Sequence, residues 1–282
     1  GGESDLSMIV REKGVHEILI SINNISSKRL SEIIDSCNMS QAKFKMVSST
    51  IDRSNQERVV SKVKNIEISD LLEREAVVLD LFLIKRAIKG KRVLVTGAGG
   101  SIGSELCRQI LEYKPSSLVM LDIGENYLYE LEMFLGSSVS KCEAHFIFGS
   151  VTNESKMEVI FEQHSPQLIF HAAAHKHVPI MEDNVDAAIV NNILGTKIIS
   201  DLSGKFEAEK FILISTDKVV NPTSIMGRTK NIAENYIQSF SKDITTKFIT
   251  VRFGNVLGSN GSVVPLFQKQ IQQGGPVTIT HP

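Results

Sequence analysis

One stretch, Lys91 to Leu111, constrains this chain more than any other: KRVLVTGAGGSIGSELCRQIL. Val93, Leu94 and Val95 form a short apolar run that meets a glycine-rich turn, after which Ile102, Leu106, Ile110 and Leu111 recur at helical spacing. The pattern reads strand, tight turn, helix. Gly97, Gly100 and Gly103 stand at G-x-x-G-x-x-G spacing, where missing side chains let the backbone turn sharply, approach a pyrophosphate and pack the helix against the strand. Backbone amides at the helix start, in the segment that holds Ser101, Ile102 and Gly103, then face the phosphates. A dinucleotide also needs an acid at the end of the next strand, to accept bonds from the adenosine ribose hydroxyls, and Asp122 closes the run that starts at Ser117. The competing reading, a glycine-rich loop with no ligand, does not account for strand, turn, helix and acid arriving in that order.

From Lys91 onward the pattern is regular. Strands are expected at Val93 to Thr96, Leu118 to Asp122, His145 to Phe148, Leu168 to Ala172, Phe211 to Ser215 and Phe248 to Arg252, alternating with helical stretches. That alternation implies parallel pairing through right-handed crossovers, and so an α/β fold with a Rossmann-type doubly wound parallel sheet. Ligands of such a sheet sit outside the carboxyl ends of the strands, which makes the residues just after each strand the functional candidates.

Upstream, residues 1 to about 50 read as the end of another α/β unit. Glu17 to Ile22 is an expected strand, Leu30, Ile33, Ile34 and Cys37 mark one helix face, and Phe44 to Val47 is a second strand. Residues 51 to 75 are charged and weakly patterned and are read as linker, and Val77 to Ile88 as a helix ending at Gly90. The expected division is therefore a partial N-terminal α/β segment with linker at 1–75 and a nucleotide-binding domain at 76–282, in which about 253–282 begins an incomplete substrate lobe. In that last part Pro265 lies near the first turn of a helix, Gly274-Gly275 stops it, and Val277 to Thr280 reads as a short strand.

Composition excludes several classes. With 282 residues, 42% of them apolar, the chain can bury one large core or two modest ones. A net charge of −1 with dispersed Lys and Arg leaves no electrostatic footprint for a polyanion, so nucleic acid is not an expected partner. Cys37, Cys107 and Cys142 are few and widely spaced and form no CxxC, which speaks against a disulfide framework and fits a reducing, cytoplasmic setting. No apolar run reaches the roughly 20 residues needed to cross a bilayer.

Two segments carry candidate chemistry. After the fourth expected strand comes His171-Ala-Ala-Ala-His-Lys-His177. Its small residues Ala172, Ala173 and Ala174 let the backbone lie against a cofactor, and Lys176 and His177 are placed to reach a substrate. Three histidines in seven residues raise the question of a metal, but they lack a partnering Cys or acid at ligand spacing, so no metal is expected. His171 is read as a core histidine satisfied by backbone. After the fifth strand comes Ser215-Thr216-Asp217-Lys218, followed by Met226-Gly227-Arg228-Thr229-Lys230. A hydroxyl, a carboxylate and two ammonium groups, from Thr216, Asp217, Lys218 and Lys230, are expected to converge beside the cofactor, with Met226 and Lys230 on one helix face. The bland alternative is a turn with a solvated Asp-Lys pair.

At these residues the chain resembles a known family. TGAGGSIGSELCRQI, HAAAHKHVPIMEDN, STDKVVNPTSIMGRTK and RFGNVLGSNGSVVPLF are similar to segments of the extended short-chain dehydrogenase/reductases, and specifically of the long bacterial polysaccharide-biosynthesis dehydratases acting on UDP-N-acetylglucosamine. The likeness spans about Glu67 to Pro282. It implies that the chain is a piece of a longer protein, anchored at the cytoplasmic face of a membrane through an N-terminal region, with further substrate-binding residues downstream. Most of these reductases carry a tyrosine base four residues before the active-site lysine. Here that position is Met226, as in the long dehydratases, and it cannot move a proton.

The resemblance implies NAD as cofactor, with NADP as the alternative, and a UDP-sugar as substrate, bound in part by Lys176, His177 and Asn255. It implies oxidation at C4, loss of water across C5 and C6, and return of hydride to C6. Thr216 and Lys230, or else Asp217, are the candidates for taking the 4-hydroxyl proton; Lys218 is the candidate base at C5 and Asp217 the acid for the departing 6-hydroxyl. Lys218 would need burial beside Lys230 to lose its proton. One departure stands out: where the family places an Asp against the adenine, this chain has Gly149-Ser150-Val151, leaving Ser150 and Val151 as substitutes. Relatives pair as homo-oligomers through helices corresponding to about Val185 to Leu202 and Met226 to Phe240. The rival readings are a UDP-sugar 4-epimerase, which needs no base at C5, and a nicotinamide-sensing regulator, which has no use for the Asp217–Lys218 cluster.

Overall fold

The computed structural model describes residues 6–22, 25–38, 42–50, 60–64, 79–240, 245–256 and 263–279. The chain divides into two compact units, Gly1–Leu79 and Asp80–Pro282.

In the first unit α1 (Leu6–Lys13) leads to β1 (Glu17–Ile20), α2 (Ser27–Asn38), β2 (Lys43–Thr50) and β3 (Val60–Lys64). Leu30, Ile33 and Cys37 recur on one face of α2 and are buried with Ile20 of β1. β1 pairs parallel with β2, and β2 antiparallel with β3. Neither α1 nor β3 was legible. β3 falls inside the stretch expected to be linker, because its sequence, VSKVK, is a short edge strand carrying two lysines rather than an apolar run.

The second unit opens with α3 (Leu81–Ile88), whose N-terminus is capped by the Asp80 carboxylate accepting from the Phe82 and Leu83 amides. There follow β4 (Arg92–Thr96), α4 (Ser101–Glu112), β5 (Ser117–Asp122), α5 (Glu125–Leu135), β6 (Glu143–Phe148), α6 (Glu154–His164) and β7 (Leu168–His171). After β7 come α7 (Val178–Asp183), α8 (Val185–Ala188), a π-helical segment (Ile189–Leu194), α9 (Gly195–Lys205), β8 (Lys210–Thr216), α10 (Ile225–Phe240), β9 (Lys247–Phe253) and α11 (Val263–Gln272). Every expected strand of the nucleotide-binding sheet is present, with ends shifted by a residue or two. The strand expected at Val277 is not: Val277 to Ile279 is irregular, lying beyond Gly274 and Gly275, both at positive φ, and Thr280 lies outside the described residues.

All pairings in the large sheet are parallel, in the order β6-β5-β4-β7-β8-β9. Successive side chains of a strand face opposite ways, so Leu94, Val119 and Leu121 join one core layer while Val93, Val95, Leu118 and Met120 join the other. β5 is buried at all six positions, the mark of a strand covered on both faces. From β4 the chain winds outward to β6, then returns to β7 and winds the other way. The crevice at the carboxyl ends of β4 and β7 is therefore the switch point at which such sheets bind ligands. Among the described residues no helix is long and apolar enough to cross a membrane.

Candidate functional site

The glycine loop lies at that switch point. Gly97 adopts φ +66°, and a Cβ there would stand 2.6 Å from the Ala173 amide nitrogen. A Cβ on Gly103 would stand 2.0 Å from the Gly97 carbonyl oxygen. The first glycine thus lets β4's loop lie on the Ala172–Ala173 backbone, and the third seats α4 under the loop. Gly100 occupies the N-cap of α4, where no side chain caps the helix. Asp122, nearly buried at the end of β5, accepts from the Gly99 amide at 2.9 Å and the Gly124 amide at 2.9 Å, which ties the loop to the next strand. Each carboxylate oxygen keeps acceptor capacity beyond that one bond. A cradle that any Cβ would fill, an uncapped helix start and a fixed acid fit a dinucleotide with its pyrophosphate at α4.

Behind the loop runs a buried chain of hydrogen bonds. The Thr196 hydroxyl donates to the Asn192 carbonyl at 2.7 Å and so accepts from His171 Nε2 at 3.0 Å. Nδ1 of that neutral ring then accepts from the Thr96 hydroxyl at 2.7 Å, at the end of β4. His171 is fully buried, and burial, with the Lys230 charge nearby, pushes its pKa down to about 3. It is a core histidine as expected, but its partners are two threonine hydroxyls rather than backbone. Asn192, in the π-helical segment, continues the chain. Its Oδ1 accepts from the His175 amide at 2.8 Å, and its Nδ2 donates to the His175 carbonyl and the Thr229 hydroxyl, each at 3.1 Å. Thr229 in turn donates to the Met226 carbonyl. The loop after β7 is thereby fastened to α10.

Lys230 projects from α10 into the interior, 4% exposed, and donates to the Ile214 carbonyl of β8 at 2.9 Å. Burial lowers its pKa to about 8, against the opposing effect of Glu234 one turn on. Glu234 is itself buried and held by the Arg252 guanidinium of β9 through Nε and Nη2. Next to Lys230's acceptor, the Ser215 hydroxyl is buried without a hydrogen-bond partner.

The exposed end of β8 carries the remaining candidates. The Thr216 hydroxyl donates to Asp217 Oδ1 at 2.9 Å, and Lys218 Nζ lies 3.3 Å from the same oxygen and 2.9 Å from Asn255 Oδ1. The Thr216 hydrogen bond, with Lys218 second, holds the Asp217 carboxyl below its ordinary range. Thr216, Asp217, Lys218 and Asn255 therefore converge. Lys230 does not join them by any hydrogen bond; it reaches the same strand from behind. The burial expected of Lys218 is found at Lys230 instead, since Lys218 stands at the rim, where its ammonium meets water. Met226 packs with Met181 and Ala188, 4% exposed, as an apolar filler with no proton to offer.

Other candidates sit apart. Ser150 shares a 2.7 Å bond with Thr152 and opens the turn before α6, and the Val151 side chain belongs to the core, packed where a Cβ on Gly195 would meet it. Lys176 and His177 are exposed, with His177 at the N-cap of α7. No group of three or more His, Cys, Asp or Glu among the described residues is arranged to hold a metal. A concavity of about 400 Å³ lined by Ile102, Leu106, Phe170, Ile214, Val251 and Phe253 among others is wholly apolar and contains no ionisable side chain. Sequence reasoning missed Gly99, Asn192, Thr196, Glu234 and Arg252. Of these only Glu234 carried a local signal, an acid four residues after Lys230 on the same helix.

A family model described as polysaccharide biosynthesis protein matches residues 93–282. The capsular polysaccharide biosynthesis protein CapD of Staphylococcus aureus is 44% identical over 284 residues, covering 100% of this chain and 47% of that protein. A UDP-N-acetylglucosamine 4,6-dehydratase (inverting) of Campylobacter jejuni is 35% identical over 199 residues, covering 68% of this chain and 58% of the other. Among solved structures, Pen from Bacillus thuringiensis superposes with a TM-score of 0.65 at 31% identity, covering 69% of this chain and 61% of that one. The chain spans about half the length of the curated relatives it matches over its whole extent.

Proposed function

The chain belongs to the polysaccharide biosynthesis protein family, and from that premise we propose that the whole protein is an NAD-dependent 4,6-dehydratase of UDP-N-acetylglucosamine, serving surface polysaccharide synthesis. The observation that carries the reading is the Asp217–Lys218 pair with Asn255 at the open end of β8. A dehydration needs both a base at C5 and an acid at C6, and an epimerisation needs neither.

Gly97, Gly100, Ser101, Ile102 and Gly103 would hold NAD, which when bound would supply the hydride-transfer chemistry of the reaction. Asp122 receives the adenosine ribose hydroxyls and disfavours the 2′-phosphate of NADP, the alternative cofactor. Ser150 and Val151 flank the adenine through backbone and hydroxyl, and Ala172, Ala173 and Ala174 let the loop after β7 approach the nicotinamide side. Lys230, its pKa lowered by burial to about 8, is the proposed acceptor for the proton of the sugar 4-hydroxyl by way of an intervening hydroxyl or water, since its ammonium turns to the Ile214 carbonyl and makes no hydrogen bond to Thr216. Asp217 is the second acceptor for it. Lys218 removes the C5 proton of the 4-keto sugar, and Asp217 delivers the proton that lets the 6-hydroxyl leave as water. Lys176, His177 and Asn255 contact the UDP-sugar, and Met226 only fills space.

The protein is further proposed to act at the cytoplasmic face of a membrane, anchored through an N-terminal region, with residues 1–75 as the partial segment and linker before the catalytic domain. Pairing of two copies runs through α8 to α10, whose exposed Val185, Ile189 and Ile232 supply the apolar contact. The test is the full-length protein incubated with UDP-N-acetylglucosamine: a product lighter by one water is expected, and an isomer of unchanged mass establishes an epimerase instead. A Lys218→Ala enzyme that still exchanges the C5 proton at the normal rate removes Lys218 from the role of base.

A further inference from the structure

The elimination asks for the opposite of what the resting site contains. A base at C5 needs a free lone pair, yet Lys218 Nζ is engaged in an ion pair with Asp217 and donates to Asn255. An acid at C6 needs a proton, yet Asp217 rests as a carboxylate held by Thr216 and Lys218. The two side chains are 40% and 57% exposed, so water is what sustains both charges. Gly254 lies close against the carboxylate, where a Cβ would stand 3.3 Å from Asp217 Oδ2, so a larger residue there would crowd the pair; the pair's own exposure leaves it accessible to an approaching sugar.

We propose that a sugar seated over this pair expels its water and thereby drives one proton from Lys218 Nζ to Asp217 Oδ1, so that base and acid arise together. This rests on the dehydratase reading. The donor and acceptor are already 3.3 Å apart, and removing water disfavours both charges while a neutral pair keeps the same total charge. The Lys218 lone pair then takes the C5 proton, the C5–H electrons form the C5–C6 double bond, and the C6–O bond breaks. The hydroxyl departs with the Asp217 proton as water. Ammonium and carboxylate are restored, and throughout the elimination the pair has exchanged no proton with bulk solvent.

α10 contributes exposed Arg228 and buried Lys230, the latter turned to the Ile214 carbonyl. Arg252 at the end of β9 is engaged by Glu234, and Phe253 to Val256 contains no ionisable group. The loop after β7 adds half-buried His175, whose pKa burial lowers, and exposed Lys176 and His177.

Resting and reactive forms carry equal numbers of protons, so C5 deprotonation is independent of pH wherever the pair as a whole neither gains nor loses a proton. The experiment supplies the full-length protein with UDP-4-keto-6-deoxy-N-acetylhexosamine in deuterated buffer and follows C5 exchange by NMR from about pH 6 to about pH 9. Hydride transfer and Lys230 play no part in that step. The wild type is expected to give a flat profile, and Asp217→Asn, which lacks the acceptor, a rate rising about tenfold per pH unit. A rising wild-type profile overturns the proposal, as does a flat profile in both proteins. An Asp217→Asn protein without exchange at any pH is decided by Asp217→Glu, which restores the acceptor and is expected to be flat; a rising profile there overturns it. Water loss from UDP-N-acetylglucosamine is scored separately, so that a sloped exchange profile with normal dehydration rejects the proton shift alone, and absent dehydration rejects the reading beneath it.

Discussion

Around Thr96, His171, Thr196 and Asn192 the polar groups are buried and satisfy one another, whereas around Asp217, Lys218 and Asn255 they stand in water. The first region is finished before any ligand arrives. Its hydrogen bonds lie in a low dielectric, so each is strong when made and costly when orphaned. The second region gains little stability from its ion pair, because exposed pairs contribute about 0–1 kcal/mol at most. On the proposal above, its arrangement acts once a bound substrate displaces the water. The interior fastens the loops to one another, and the rim takes its electrostatics from what is bound over it.

The comparison breaks or sharpens first on stability. His171→Ala leaves two buried threonine hydroxyls without their ring partner and opens a cavity, and is expected to cost about 3–5 kcal/mol in denaturant unfolding. Asp217→Asn is expected to stay within about 0.5 kcal/mol of wild type while losing dehydration. Equal costs for the two substitutions would erase the distinction between the regions.

A smaller effect comes from pH. Lys230 falls from an ordinary 10.5 to about 8 on folding, so between those values the unfolded chain binds more protons than the folded one. Stability therefore rises as pH rises from about 8 to 10.5, by about 3 kcal/mol, and is lowest, as far as this group is concerned, below 8. His171 obeys the same sign at acid pH, losing stability as pH falls from 6.5 toward about 3. Unfolding of Lys230→Met compared with wild type across the alkaline range is the measurement, and the difference between them must depend on pH in that direction.

The smallest effect concerns Glu234, which raises the Lys230 pKa from one turn away. Glu234→Gln is expected to move Lys230 further down, as read by NMR titration of its side-chain Cε. An upward movement would mean that Arg252, relieved of its partner, acts differently from the pairing described.

The fold was legible because its signals are local. A strand of β4's composition, three glycines at fixed spacing and a helical repeat lie within one short stretch, and each later strand announced itself by an apolar run. β3 did not, since two lysines in five residues erase such a run. In the site, Asp217 and Lys218 were legible as neighbours in sequence. The partners of His171 were not, because Thr96 and Thr196 are 75 and 25 residues away and meet the ring only after β4 and β7 pair. Nor did spacing tell which of two lysines would be buried. Lys230 lies on a helix face turned to the sheet, while Lys218 lies two residues past the end of β8, and only tertiary packing separates those fates.

The π-helical turn at Ile189–Leu194 sets the rotational register of the helix that follows it. Each residue of an α-helix advances about 100° around the axis, so removing one residue from this segment swings everything after it by that angle. Thr196 would leave the His171 ring, and Ile199 and Leu202 would turn out of the core. Surface connections tolerate single insertions and deletions; here one codon more or less would uncouple the cofactor loop from the helix that carries Lys230.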